Sequence, residues 1–356
     1  MFTFIVMCFQ QADVVPLALE SVRFQIEHYG QGREFQLIAA DDGSTDGSQA
    51  VIRAWTEKHS GLFAKIDLLF WPENRGVCQN YVDALRRVEG EQFVKLDGDD
   101  LLAPGSVFEL TDLLSDYDLI CTAFLRFTGS GKAVRGRGAY LEVVLQEFIR
   151  GGALRLAAKL GCPVMGAAIF RKSLLTEEVF DFILRFRTVN DRACLQKLLT
   201  GDRALRLCYV NRPVILYRLS DASVSSFQSP GRLLHSREIG LLCRVQREAE
   251  TAPTLRFLLL WQEKSAVFRT ASGRLVRFLR FFSPYFALML GLCIVRWPSI
   301  RRLERQLADG HWQECEAHWR RIAAELGTLP GETPAAWEAV RKNGVDTPET
   351  SGYNSL

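Results

Sequence analysis

The stretch FVKLDGDD, residues 93–100, is a short apolar run that ends in three carboxylates, Asp97, Asp99 and Asp100. Carboxylates this close together repel one another and raise each other's pKa unless a cation lies among them. Oxygen ligands at the end of a strand suit a hard divalent ion such as Mg²⁺ or Mn²⁺. Gly98 lets the backbone turn so that Asp97 and Asp99 can face the same point. Alone, the pattern fits an acidic turn that caps the next helix equally well.

A second apolar run ends in the same way further upstream. Residues 37–40 are apolar, and they are followed by Asp41, Asp42 and the turn-forming sequence GSTDGS at residues 43–48. In open α/β sheets, ligands bind at the carboxyl ends of the strands. Two acid-rich strand ends in one half of the chain therefore favour a shared site over two unrelated caps.

The first hundred residues alternate between apolar strand patterns and amphipathic helix patterns. Predicted strands cover residues 2–8, 35–40, 67–71 and 93–96, and predicted helices cover residues 14–27, 49–58 and 78–88. Asp13 is the expected N-cap of the first helix. This alternation predicts an α/β fold with a mostly parallel central sheet and helices on both faces.

Composition excludes several other classes of protein. The chain has 356 residues, of which 48% are apolar and 24% charged, as in ordinary globular proteins. A net charge of +3 gives no indication of a nucleic-acid partner. Nine cysteines, an odd number without a Cys-x-x-Cys pair, indicate free thiols in a reducing cytosol. The amino terminus lacks a basic leader, so we expect it to form the first strand and the protein to be cytoplasmic.

In order and spacing, the motifs of residues 2–227 resemble family 2 glycosyltransferases of the GT-A fold, a Rossmann-like arrangement. The matching stretches are the opening strand, residues 41–46, Asn74-Arg75-Gly76 with Asn80, residues 97–100, residues 166–174, Asn190-Asp191, Tyr217-Arg218 and residues 223–225. The resemblance implies a catalytic domain over residues 1–227. The remaining third of the chain is not covered by it.

The resemblance also implies roles for individual residues. Asp191 would be the catalytic base, and Asp99 with Asp97 or Asp100 would hold Mn²⁺ or Mg²⁺. Asp41 would accept a hydrogen bond from the nucleotide base, which in relatives is usually uracil, and Asp97 would bond the ribose. The further donor-binding candidates are Phe9, Asp42, Asn74, Gly76, Asn80 and Gly98, and Arg218 belongs to the motif of the last strand.

The chain departs from the family pattern at three places. Met7-Cys8-Phe9-Gln10 stands where the family usually has Pro-x-Tyr-Asn, and Asn190 replaces a Glu before the base. Ser220 stands where the family has a His that can bind the metal. His235 is a substitute candidate, although a lone His more often packs than ligates. Asp191 could also be simply the N-cap of the helix that follows it.

The carboxyl-terminal region has a different character. We expect residues 228–342 to be a helical, basic and apolar extension, and residues 343–356 to be a flexible tail. Residues 265–302 contain no Asp or Glu but several arginines. The apolar stretch 281–295 is shorter than the ~20 residues of a spanning helix, so it predicts an interfacial helix on anionic lipid. The alternative is packing against the catalytic domain or a second subunit.

Together these features predict an inverting, metal-dependent transfer of a sugar from a UDP-sugar to a glycan or lipid-linked glycan. Such reactions build cell-surface polysaccharide or lipopolysaccharide, here at the inner face of the cell membrane. A sugar-nucleotide nucleotidyltransferase would need a glycine-rich basic loop after the first strand, whereas residues 9–13 read FQQAD. A non-catalytic relative that binds a sugar nucleotide and acts as a scaffold stays open, because family residues are replaced at three places.

Overall fold

The structure, a computed structural model, describes residues 1–134, 168–201, 205–219, 231–268, 283–308 and 311–327. Several predicted features lie outside these ranges: Ser220, the motif at 223–225, the arginines between 269 and 280, and the tail 343–356.

The described ranges contain eight strands and ten α-helices. The strands are β1 (Phe2–Cys8), β2 (Phe35–Asp41), β3 (Lys65–Phe70), β4 (Gln92–Asp97), β5 (Leu101–Leu102), β6 (Leu119–Phe127), β7 (Ala168–Arg171) and β8 (Leu207–Arg218). The helices are α1 (Val15–Tyr29), α2 (Ser48–Lys58), α3 (Val77–Leu85), α4 (Phe108–Thr111), α5 (Glu177–Ile183), α6 (Asn190–Thr200), α7 (Arg232–Ala249), α8 (Pro253–Phe268), α9 (Pro284–Ala308) and α10 (His311–Glu325).

The strands form one sheet in the order β3-β2-β1-β4-β7-β6-β8-β5. The pairs β1–β2, β1–β4, β2–β3 and β6–β8 are parallel, and β4–β7, β6–β7 and β5–β8 are antiparallel. The predicted α/β class, with a mostly parallel sheet and a helical extension, is confirmed. Because β2, β1 and β4 are neighbours and parallel, the carboxyl ends of β2 and β4 flank that of β1 at one edge.

A hydrophobic core covers each face of the sheet. Alternate residues of β1 point to opposite sides, so Phe4 and Val6 join one core while Ile5 and Met7 join the other. Helices α1 and α2 close the first core, and α3 and α6 close the second. The apolar continuity of β1 in the sequence follows from burial on both faces.

Neither candidate N-cap, the predicted Asp13 nor the alternative reading of Asp191, caps its helix. Helix α1 begins at Val15, and its N-cap is Val14 rather than Asp13. Helix α6 begins at Asn190, so Asp191 lies inside its first turn and Val189 is the cap position. The carboxylate of Asp191 contacts Lys95 instead of the helix backbone, which removes the capping alternative.

The carboxyl-terminal helices pack on the core of the sheet. Ile300 of α9 and Trp319 and Ile322 of α10 are fully buried in the first core. The imidazole Nε2 of His318 lies 3.1 Å from the carbonyl oxygen of Leu102 in β5. Part of the extension thus serves to cover the sheet. The boundary expected near residue 227 stays a prediction.

Among the described residues, no helix combines the length and the apolar character that crossing a bilayer requires.

Candidate active site

The two carboxylates that end β2 hold the surrounding loops together. Asp41 has no exposed surface and accepts hydrogen bonds from the Ser44 amide at 2.8 Å and from Gln49 Nε2 at 2.8 Å. Asp42 accepts from Asn74 Nδ2 at 2.9 Å and from the Gly76 amide at 3.0 Å. Burial raises the pKa of Asp42, and the amide donors oppose that rise. Both side chains shape the site from beneath its surface.

The loop after β1 is fixed by the residues that follow Asp42. The Gln10 amide donates to Ser44 Oγ at 2.7 Å, the Gln11 amide to Ser48 Oγ at 3.0 Å, and the Ala12 amide to Asp46 Oδ2 at 2.9 Å. Phe9, half-buried, lies directly before this pinned segment. Side chains of the polar GSTDGS sequence therefore anchor the backbone of the loop after β1.

Arg187, which the sequence analysis did not single out, ties the turn at residues 74–76 to the segment before α6. Its Nη2 donates to Asn74 Oδ1 at 2.6 Å and to the Asn74 carbonyl at 3.1 Å. Gly76 has φ +94°, and a Cβ there would lie 2.5 Å from Arg187 Cγ. Glu238 of α7 accepts from the Arg187 amide at 2.7 Å and from the Thr188 amide at 2.6 Å.

Asn80 and His235 each contact a backbone carbonyl. Asn80 is buried in α3, and its Nδ2 donates to the carbonyl of Ala40 at 3.0 Å, which braces the end of β2. His235 Nδ1 lies 3.2 Å from the Thr188 carbonyl, a contact that supports a packing role for this residue. Neither contact identifies a ligand.

The DGDD turn separates its three acids into two environments. The Gly98 amide donates to the Met7 carbonyl at 2.7 Å, and a Cβ on Gly98 would lie 2.9 Å from that oxygen. Asp100 is buried and accepts from the Arg218 amide at 2.9 Å. Asp97 keeps 40% of its side chain exposed, and Asp99 is half-buried. Asp97 and Asp99 are thus the two acids of this turn that a ligand can reach.

The charges of Arg218 and Lys95 do not fully offset the burial and mutual repulsion of Asp99 and Asp100 in the DGDD turn. Burial, followed by repulsion from Asp97, raises the pKa of Asp99 to about 6, against attraction by Arg218 and Lys95. Burial and the charges of Asp99 and Asp97 raise the pKa of Asp100 as well. A divalent cation would relieve this repulsion.

The donor set fits Mg²⁺ or Mn²⁺ bound together with a phosphate substrate. Within the described ranges, no group of three His, Cys, Asp or Glu side chains is arranged to hold a metal. Mg²⁺ is usually bound by one or two carboxylates together with substrate phosphates and water. Asp97 and Asp99 supply two such carboxylates at the strand end, so a substrate would complete the coordination.

Lys95 joins the β4 carboxylates to the predicted base. Its Nζ lies 2.8 Å from Asp97 Oδ1 and 3.0 Å from Asp191 Oδ2. Burial lowers the pKa of the Lys95 ammonium, but attraction to Asp191 and Asp97 outweighs burial, and its pKa is raised. Burial raises the pKa of Asp191, which Lys95 opposes. The sequence contains a signal for this contact. Lys95 is a lone Lys two residues before Asp97 in an apolar strand, so the two side chains lie on the same face of that strand.

The structure therefore brings Asp97, Asp99, Asp191 and Arg218 into one neighbourhood through Lys95 and the DGDD turn. It places Asp42, Asn74 and Gly76 in one loop cluster beside it. Parallel strands that end in carboxylates at one edge, with an acid from a facing helix, are the arrangement of an α/β protein that binds its ligand at the carboxyl ends of its strands.

The family model described as glycosyl transferase family 2 matches residues 3–178, about half of the chain. The chain belongs to glycosyltransferase family 2, and the class of enzyme that the resemblance predicts is confirmed.

Three comparisons with individual proteins accompany this match. The structure of S. aureus TarS 1–349 in complex with UDP-GlcNAc has a TM-score of 0.54 at 15% identity and covers 92% of each chain. A longer S. aureus TarS structure has a TM-score of 0.51 at 14% identity, over 96% of this chain and 55% of the other. These likenesses show the fold.

A curated relative from Mycoplasma pneumoniae, the uncharacterized glycosyltransferase MG060 homolog, is 32% identical over 91 residues. The match spans 24% of this chain and 29% of that relative.

Proposed function

We propose that the protein transfers a sugar from a UDP-sugar to a hydroxyl group of a glycan or lipid-linked glycan, with inversion at the anomeric carbon. The observation that carries the proposal is that Lys95 joins Asp97, at the end of β4, to Asp191 in the first turn of α6. Asp97, which would bind the donor, and Asp191, which would act as the base, thus lie on opposite sides of the Lys95 ammonium. This arrangement suits a single displacement.

The donor would lie at the carboxyl ends of β1, β2 and β4. S. aureus TarS is similar in fold and binds UDP-GlcNAc, which favours a UDP-sugar over other donors. In this proposal Phe9, Asn74, Gly76 and Gly98 line the nucleotide. Asp41, Asp42 and Asn80 hold the loops that carry those residues through hydrogen bonds within the protein.

Asp97 and Asp99 would hold Mn²⁺ or Mg²⁺. The ion would neutralise charge on the diphosphate leaving group. The carboxylate of Asp99 has its pKa raised to about 6 by burial and by Asp97, so the site gains from an added cation. Arg218 brings further positive charge to Asp99 and Asp100.

Asp191 would take the proton of the acceptor hydroxyl as its oxygen attacks the anomeric carbon. One base and one displacement give inversion. Asp191 keeps 36% of its side chain exposed, so an acceptor can reach it.

The proposed base is tested by comparing Asp191→Asn with the wild type and with Asp181→Asn, a matched control at an exposed position of α5. We expect Asp191→Asn to bind UDP normally in calorimetry but to lose Mn²⁺-dependent hydrolysis of UDP-GlcNAc by about 10²-fold or more. Asp181→Asn should behave as wild type.

Two other outcomes would contradict parts of the proposal. Normal turnover by Asp191→Asn would remove it as the base. Tight UDP binding by the wild type, with no hydrolysis of UDP-GlcNAc at any Mn²⁺ concentration, would instead support the non-catalytic scaffold.

We propose that helix α9 rests on an anionic membrane surface, where a lipid-linked acceptor is found. One stripe of the helix, at i, i+4 and i+8, exposes Phe286, Leu290 and Ile294 by 38%, 54% and 71%. Trp297 lies just past the kink of this helix at Arg296 and is exposed by 37%, with the Arg301 guanidinium 5.1 Å from its ring centre. Apolar and aromatic side chains beside arginines are typical of interfacial helices.

The opposite side of α9 is already occupied. Leu288, Leu292 and Leu303 pack against the core of the sheet, and Ile300 is fully buried. The helix therefore has an inner face that belongs to the fold and an outer face that is left for a partner. Exposed Arg302 and Arg305 lie at the carboxyl end of that outer face.

In this arrangement residues 1–227 form the catalytic unit, the described helices α7 to α10 of the extension cover it, and α9 faces the membrane. The protein would act at the cytoplasmic side of the cell membrane.

A further inference from the structure

Lys95 occupies a position that an apolar side chain would fill in most buried strands. It lies between Phe93 and Asp97 on one face of β4, and Phe93 is fully buried and stacked on Phe170 with ring centres 5.0 Å apart. The Lys95 side chain is only 9% exposed. Burial of an unpaired ammonium costs several kcal/mol, so this position requires anionic partners.

The ammonium contacts all four oxygens of two carboxylates. Its Nζ lies 2.8 Å and 3.0 Å from the two oxygens of Asp97, and 3.2 Å and 3.0 Å from those of Asp191. The Tyr81 ring of α3 lies beneath it, with 5.9 Å between Nζ and the ring centre. Lys95 is thus clamped between the end of β4, helix α3 and the first turn of α6.

Asp191 depends on this clamp for its orientation. Within the described part of the chain, the other donor recorded at its carboxylate is Asn190 Nδ2, at 3.4 Å, which is too long for a strong hydrogen bond. The carboxylate could otherwise rotate about its side-chain torsions toward solvent. Contact of one Nζ with both oxygens removes that freedom.

We propose that Lys95 is a positioning residue, whose ammonium holds the Asp191 carboxylate at a fixed distance from Asp97 and aims it at the acceptor oxygen beside the donor. This inference rests on the proposed role of Asp191. Lys95 itself exchanges no proton and forms no bond with substrate. It acts through the carboxylate of Asp191.

The test compares Lys95→Met, which keeps the length of the side chain but not its charge, with Lys95→Arg, which keeps the charge. The probe is UDP-GlcNAc hydrolysis with Mn²⁺, and UDP binding is measured in parallel by calorimetry. We expect Lys95→Met to lower kcat by about 10²-fold, as misplacement of a reacting group does. The fall in kcat should exceed the change in KM and in the Kd for UDP, because Asp191 has no proposed role in donor binding. Lys95→Arg should recover much of kcat.

A double variant separates positioning from a structural role. If Lys95 acts through Asp191, Lys95→Met should not slow the residual hydrolysis of Asp191→Asn any further. An equal loss of rate in both backgrounds would show that Lys95 acts elsewhere and overturn the inference, as would an unchanged kcat in Lys95→Met. If Lys95→Met fails to fold, Lys95→Gln provides the same comparison with a shorter polar side chain.

Different results would contradict the role of Lys95 and the role of Asp191. Wild-type hydrolysis by Asp191→Asn alone would remove the base itself, whatever Lys95 does. Loss of hydrolysis in Asp191→Asn together with an unchanged Lys95→Met would leave the base in place and reject its positioning by Lys95.

Discussion

At the scale of single residues, the site depends on backbone positions that admit no side chain. Gly43 has φ +74°, and a Cβ there would lie 2.2 Å from the carbonyl carbon of Glu73. This close approach brings the end of β2 against the turn that carries Asn74, so that Asp42 can accept from that turn. The glycine therefore helps to determine where the predicted donor-binding residues lie.

Gly43→Ala should destabilise the protein far more than Gly32→Ala, which is a matched control. Gly32 has φ +73°, but nothing lies within 4 Å of the point that a Cβ would occupy there. Left-handed strain alone costs about 1–2 kcal/mol, and a forced backbone shift adds about 1–3 kcal/mol. Urea unfolding measures both variants, and equal losses of stability would contradict the close approach at Gly43.

At the scale of elements, helix α10 covers the side of the sheet that ends in strand β5. Its Trp319 stacks on Phe127 with 5.3 Å between ring centres, and His318 contacts the β5 backbone. Burial, with a smaller effect of the charge of Arg321, lowers the pKa of His318 to about 4, against the hydrogen bond to Leu102. The imidazole is therefore buried in its neutral form.

His318 should make folding stability fall as the solution is acidified. Because its folded pKa of about 4 is below the ordinary value of 6.5, the unfolded chain binds more protons between these pH values. The stabilisation is fully present above about pH 6.5 and is lost as the pH falls toward 4, by about 3 kcal/mol in total.

The measurement is thermal unfolding between pH 7 and pH 4.5. His318→Gln, whose amide can still donate to Leu102, should lose less stability over this range than the wild type. His311→Gln, in the same helix but half-exposed, controls for the substitution itself. An identical pH dependence in His318→Gln and the wild type would show that His318 is not the group responsible.

At the scale of the whole molecule, two separate surfaces carry the proposed functions. One is the edge of the sheet at the carboxyl ends of β2, β1 and β4, with the acids and Lys95. The other is the outer face of α9, where Ile294 and Val295 are exposed by 71% and 74%. Large exposed aliphatic side chains that are neighbours on a helix mark an interaction surface.

The full chain should sediment with vesicles of phosphatidylglycerol and phosphatidylcholine, and less with phosphatidylcholine alone. Replacing Ile294 and Val295 with Ser should weaken this binding, because burial of each aliphatic side chain contributes about 1.5–3 kcal/mol. The matched control replaces Leu233 and Leu234 of α7, exposed by 47% and 41%, with Ser.

Arg301→Gln with Arg302→Gln should reduce the preference for anionic lipid by about 1 kcal/mol per charge. Equal binding of all these variants would reject a membrane role for α9. If the wild type dimerises and binds no lipid, and replacing Ile294 and Val295 with Ser abolishes the dimer, the outer face of α9 would instead contact a second copy of the chain.

Sequence alone determined the class of this protein and the locations of its acids. Apolar runs that end in Asp41-Asp42 and in Asp97-Gly98-Asp99-Asp100 predict strands whose carboxyl ends meet at one edge, because parallel neighbours align that way. The family resemblance pointed to Asp191, and the sheet and its helices were expected from periodicity. These features are local, so a linear pattern can encode them.

Tertiary structure decided which acids a ligand can reach and which are used to build the loops. Asp41, Asp42 and Asp100 look like Asp97 and Asp99 in the sequence, yet folding supplies amide donors to the first three. It also placed Lys95 between acids that are 94 residues apart in the chain, Asp97 and Asp191. The reason is physical: hydrogen-bond satisfaction and burial depend on which strands and helices become neighbours, and no local pattern records that.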